Sequence, residues 1–215
     1  MHRPECFVRG LRRFQSWLVV VTAGMLAASF YGAEYLYDQP WHHGPTIAAL
    51  AGLYWLAVRG GLSNASALAI HGFLWLHILG ARYIYSFVPY DDWVRACCGH
   101  SLSEMTGWER NHYDRLVHFM YGALATVPQV DLLRRRLNVS MLAAHAFSFM
   151  LVLSAGAAYE ILEWSLAMIV APEWAERYNG QQGDVWDPQK DMSLAAAGAA
   201  LASLVMWVAR GRVRG

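Results

Sequence analysis

Charge is scarce in this chain. Only 15% of its 215 residues are charged while 56% are hydrophobic, whereas an ordinary soluble domain carries about 25% charged residues. That shortage excludes an ordinary soluble domain and points to lipid as the solvent. Cysteine is almost as rare. Cys6 is isolated, and the adjacent Cys97 and Cys98 could bridge only through a strained ring, so neither a disulfide framework nor a CxxC metal motif is available. Low-complexity linkers and internal repeats are missing, which favours a single domain over residues 1–215. The basic residues form short clusters without a folded basic face, so nucleic-acid binding is not expected.

Long hydrophobic runs are what the chain does have. A spanning helix needs roughly 20 mainly apolar residues to cross about 30 Å of hydrocarbon. Six stretches meet or approach this, at about 14–33, 45–62, 64–87, 113–132, 140–170 and 192–209. The expected fold is therefore all-α, a polytopic transmembrane bundle of about six spanning helices. The second run is short, needing residues 60–62 to complete the crossing, and the fifth is long enough to project beyond the bilayer. Arg9, Arg12 and Arg13 before the first run also suit a signal peptide, but its length and the later spans favour an uncleaved first helix. Ten Trp and eleven Tyr suit the two membrane interfaces.

Alternating the six spans gathers eleven of the seventeen basic residues on one side with only Glu5 and Asp131. That side carries +9 and the other −8. The positive-inside rule then makes both termini cytoplasmic, and leaves outer connections at 34–44, 88–112 and 171–190.

The acidic side is organised. Asp114 and His118 are four apart and share a helix face, as do Glu160 and Glu163 at a spacing of three. Counting inward from the cytoplasmic ends, Asp114, Glu160 and Asp191 lie about 27–30 Å along their helices, at the outer interface. His118 falls one turn deeper, and His77 reaches a similar level. Unpaired carboxylates at that depth cost about 2.5–3.5 kcal/mol each, so facing groups are expected to share a proton or a cation. Oxygen-rich ligands with one or two imidazoles suit a divalent cation such as Mg, Mn, Ca or Zn.

Simpler roles also fit some of these residues. Glu163 and Asp184 could reach water by snorkelling, and Asp187-Pro188 could serve only as a helix cap and first-turn proline. His71 is expected to be a packing residue. His42, His43, His100 and His112 are expected in solvated outer connections, and Arg134–Arg136 as a topological anchor.

Three motifs coincide in order and spacing with a known pattern: Tyr113-Asp114-Arg115 followed by His118-Phe119, then Glu160-Ile161-Leu162-Glu163-Trp164, then the run 180–192 with Gly183-Asp184, Trp186-Asp187, Gln189 and Asp191-Met192. In these the second half of the chain resembles the YjdF-like family of bacterial inner-membrane proteins. The resemblance implies a multi-pass protein of the bacterial inner membrane and no particular activity. Pro188-Gln189-Lys190 departs from the pattern, and Lys190 offsets part of the acidic loop. A looser similarity to VanZ-like membrane proteins, confined to Asp114–Phe119, is too short to carry a function.

Three functions stay open. The first is an outer-leaflet enzyme with one or two divalent cations held by Asp114, His118, Glu160, Asp187 and Asp191. His118 or Glu163 would act as general base, with His77, Asp184, Gln182 and Gln189 in support, on a phosphate-bearing lipid or envelope precursor. The second is cation or solute transport or binding, although transporters place ionisable groups nearer the midplane. The third is a structural envelope protein whose polar groups bridge helices. Membrane lipid is the expected partner, and protein partners are not legible.

Overall fold

The structure, a computed structural model, describes residues 3–36, 39–59, 61–169 and 181–213. No strand occurs among them. Six long helices, α1 (Arg3–Phe30), α2 (Gln39–Arg59), α3 (Asn64–Arg82), α6 (Tyr113–Arg136), α7 (Met141–Ile169) and α8 (Asp187–Val213), are joined by two short ones, α4 (Tyr90–Cys98) and α5 (Leu102–Thr106). Four of the six, α3, α6, α7 and α8, are long and apolar enough to cross a membrane. Their outward faces carry Leu142, Met150, Ile161, Leu204 and Val205 in the open. Apolar exposure on this scale is foreign to a soluble monomer and fits a lipid surround.

The helix ends follow from local chemistry. Ser63 caps α3 by accepting the Ser66 N–H at 3.1 Å, which satisfies an orphan donor. At the other end Arg82 donates to the carbonyls of Ser29 at 2.7 Å and Tyr31 at 2.9 Å, and so closes the end of α1, which runs parallel to α3 with Gln15 beside Asn64. Inside that pair the Thr22 hydroxyl joins His71 Nδ1 at 2.7 Å and accepts from Trp75 Nε1 at 2.8 Å. His71 is thus a hydrogen-bonded packing residue.

Helix α6 is the hub, packed against α3, α7 and α8. Without a hydrophobic drive between helices in lipid, close association depends on small residues that let backbones meet. A Cβ on Gly122 would collide with the Ala195 carbonyl, and one on Gly198 would stand 2.9 Å from the Ala123 nitrogen. Ala195 and Ala199 of α8 are fully buried with Val152 of α7. This contact fixes the start of α8 beside the start of α6.

The first helix starts at Arg3 instead of 14 and the last at Asp187 instead of 192, and two further departures bear on the site. The second helix begins at Gln39 instead of Pro45, because Pro40 fits a first turn and Pro45 is accommodated inside the helix. The short second run is thereby a full helix of 21 residues, and His42 and His43, expected to be solvated, are 6% and 0% exposed. The third helix stops at Arg82 instead of 87, where Ile84 and Tyr85 take φ of +46° and +54°. Left-handed backbone at a β-branched residue costs on the order of 1–3 kcal/mol and marks a constrained site. Part of the third outer connection, 171–180, lies outside the described residues.

Candidate metal centre

The start of α6 is pinned before its functional residues appear. The Tyr113 N–H donates to Asn111 Oδ1 at 3.0 Å, the His112 N–H to the Tyr90 hydroxyl at 2.9 Å, and the Tyr113 hydroxyl to the Leu76 carbonyl at 2.9 Å. So held, α6 turns Asp114 and His118 toward α7 and α8. His118 Nε2 lies 3.7 Å from Asp114 Oδ1 and 4.0 Å from Glu160 Oε1. From α8, Asp191 completes a group in which one donor atom each of Asp114, His118 and Asp191 falls within 4.8 Å of the others. Metal–ligand bonds to Mg, Zn or Ca run about 2.0–2.6 Å, so that spread is close to the diameter of one shared coordination shell.

Two oxygens in this group lack partners. Asp191 is 2% exposed, and among the described residues its Oδ1, like Oε1 of Glu160, has no hydrogen-bond donor. A buried carboxylate oxygen without a donor costs free energy unless a proton or cation sits beside it. Glu163, one turn outward of Glu160, is half-buried. Tyr159 closes the other flank, its ring 6.2 Å from that of His118.

Around this centre stands a cationic rim that the sequence did not disclose. Asp187, 2% exposed, receives Arg110 Nη1 on Oδ1 at 2.6 Å and Nη2 on Oδ2 at 3.4 Å, with Arg115 Nη2 at 3.3 Å. Asp187, expected among the metal ligands, is thus met by two guanidinium groups and lies outside the group formed by Asp114, His118 and Asp191. Asp184 accepts from Lys190 Nζ at 2.5 Å, from the Trp186 N–H at 3.1 Å and from Arg115. Its carboxyl is held down at about 2 by the Lys190 hydrogen bond first, then by the Trp186 N–H and Arg115. His112, its ring tilted at 43° against Trp108 with centroids 4.4 Å apart, is lowered by burial and by the positive charge of Arg115 and Arg110.

Gln182 is structural in this rim. Its Oε1 accepts the Asn111 N–H at 2.9 Å and its Nε2 donates to the Asn111 carbonyl at 3.1 Å, which ties the last outer connection to the one before α6. Gln189 sits apart from the centre, in a groove with Trp108, Arg115 and Lys190.

A second polar cluster faces the first across a cavity of about 330 Å³, bounded by α2, α3, α6 and α7. Asp114 and His118 line one wall, and His42, His77 and Tyr85 the other. His77 Nε2 donates to the His42 carbonyl at 3.0 Å. A carbonyl can only accept, so this bond fixes the ring proton on Nε2 and leaves Nδ1 to the Tyr85 hydroxyl. The left-handed turn at Ile84 and Tyr85 folds the phenol back over α3, where Gly80 leaves it room: a Cβ there would stand 2.7 Å from the ring. His43 donates Nε2–H to Ser29 Oγ at 3.1 Å, since that hydroxyl spends its proton on the Leu26 carbonyl. Of this cluster only His77 was picked out from sequence. Pro40, apt for a first helical turn, was the signal that could have recovered His42 and His43.

Comparison with known proteins agrees with the membrane character of this fold. The chain belongs to the family described as "Predicted membrane protein (DUF2238)", which matches residues 14–212. It is 34% identical over 123 residues to inner membrane protein YjdF of Escherichia coli (strain K12). That match covers 57% of this chain and 54% of the relative, about half its length. No solved structure matches. The chain is thus a YjdF-like, multi-pass protein of the bacterial inner membrane.

Proposed function

We propose that this member of the DUF2238 family is a metal-dependent enzyme of the outer membrane face, acting on a phosphate-bearing lipid or envelope precursor. One observation carries the reading. Asp191 Oδ1 and Glu160 Oε1 are buried and without donors among the described residues, at a place where one donor atom each of Asp114, His118 and Asp191 falls within 4.8 Å of the others. Glu160 Oε1 lies 4.0 Å from His118 Nε2. A divalent cation held by the first three would satisfy buried carboxylate oxygens that lack donors.

Asp114, His118 and Asp191 would hold that ion, with Glu160 as a further oxygen ligand. An ion held there would supply Lewis acidity toward a phosphoryl oxygen. Glu163, one turn further out, takes the proton of the attacking water as general base. The water oxygen bonds to phosphorus, the ester P–O bond breaks, and the departing oxygen is protonated from the outer solvent. Arg115 and Lys190, already at the rim, suit an anionic headgroup. The single domain crosses the membrane six times with both termini cytoplasmic. Support comes from α1 and α2, whose 28 and 21 residues reach the roughly 20 that a span requires, and from the charge asymmetry between the two sides.

The second reading, cation or solute transport or binding, draws on the 330 Å³ cavity that extends polar groups from Asp114 to His42. The two separate by assay. Purified chain in mixed micelles should release phosphate or headgroup from phosphate-bearing lipids only with a divalent cation, and lose that turnover in Asp191→Asn. Cation uptake into proteoliposomes without any lipid turnover would favour the second reading and exclude the first.

A further inference from the structure

At the end of the bundle opposite the acidic centre, the start of α3, the end of α6, the start of α7 and the end of α8 enclose a cavity of about 430 Å³. Its lining includes Arg134, Arg135, Arg210 and one carboxylate, Asp131. Asp131 is already saturated. Its Oδ1 accepts from Arg135 Nε at 2.6 Å and its Oδ2 from Ser66 Oγ at 2.9 Å.

Nothing anionic among the described residues pairs with the other two arginines. Arg134 donates to the Val139 carbonyl at 3.4 Å, and Arg210 Nη1 to the Met141 thioether at 3.2 Å. A thioether is a weak acceptor for a group with five N–H donors in a rigid fork. Two guanidinium groups lining one cavity thus leave forked donors where anionic acceptors are missing among the described residues.

Phosphate supplies what is lacking, because its oxygens accept forked guanidinium bonds. The floor of the same cavity is apolar, with Val127, Val130 and Met206, and suits the carbons that follow a lipid headgroup. We propose that this cavity binds the phosphate of an anionic phospholipid, clasped between Arg134 of α6 and Arg210 of α8. Bound there, the lipid ties together the ends of the helices whose opposite ends build the acidic centre. The assignment is independent of any metal at that centre.

Native mass spectrometry of the full chain, loaded with phosphatidylglycerol or phosphatidylcholine, tests it. The wild type should retain phosphatidylglycerol selectively. At about 1 kcal/mol per basic residue near a membrane surface, Arg134→Gln with Arg210→Gln should weaken that retention roughly thirtyfold. Arg95→Gln, at the other end and paired with Glu104 at 2.8 Å, should leave it unchanged. If the double variant does not fold, Arg210→Gln alone carries the test, with about fivefold weaker retention expected. Equal retention of both lipids, unchanged retention in the variants, or displacement of the lipid by millimolar inorganic phosphate alone overturns the assignment.

Discussion

Arg110 grips Asp187 in a forked pair, Nη1 on Oδ1 at 2.6 Å and Nη2 on Oδ2 at 3.4 Å, and so locks the connection before α6 onto the first residue of α8. The pair is nearly closed to water, with side chains 12% and 3% exposed. Removing Arg110 leaves Asp187 only the longer Arg115 contact at 3.3 Å, at a cost toward the lower end of the about 3–5 kcal/mol that breaking a buried pair carries. Arg110→Leu should therefore lower thermal stability in detergent sharply. Arg110→Lys, which keeps the charge and loses the fork, should fall between the two.

The contact between α6 and α8 allows no side chain at Gly122, where a Cβ would strike the Ala195 carbonyl. Overpacking of this kind typically costs about 1–3 kcal/mol, and here the obstacle is backbone that cannot rotate away. Gly122→Ala should destabilise by at least that much in a detergent melt. Gly24→Ala, with nothing within 4 Å of its Cβ, should be neutral or slightly stabilising. Equal melting temperatures for the two variants would show that α6 and α8 are not this close.

Asp184 makes stability depend on acid. Its carboxyl is lowered from 3.8 to about 2, chiefly by Lys190. A group depressed on folding contributes stability above its unfolded value and loses it as pH falls through the folded one. That contribution is complete above about pH 4 and lost toward pH 2. Melting curves of the wild type should worsen across this window more than those of Asp184→Asn, which lacks the titrating group.

The sequence disclosed the outer centre better than its surroundings. Asp114 and His118 share a face by a spacing of four, and Asp191 reaches their level by simple counting along α8, so one helical period and one rise sufficed. His42 and His43 were misread because Gly44 and Pro45 mimic a loop, while the helix had already begun at Gln39. Arg110 is not legible because its partner, Asp187, is 77 positions away, and no local pattern reports a pairing between a connection and the start of a distant helix. Tyr85 was hidden by a left-handed turn at Ile84, a residue type with no propensity for it. The expected end of the third helix at 87 failed for the same reason.

The central claim is one divalent cation shared by Asp114, His118 and Asp191. Titration of the detergent-purified chain with Mn²⁺, followed by electron paramagnetic resonance, measures it directly. The account predicts one bound ion per chain, competed by Mg²⁺ and lost in Asp191→Asn and His118→Gln variants that retain their helical circular dichroism. Wild type that leaves all the Mn²⁺ free, or both variants binding it as the wild type does, would contradict the claim.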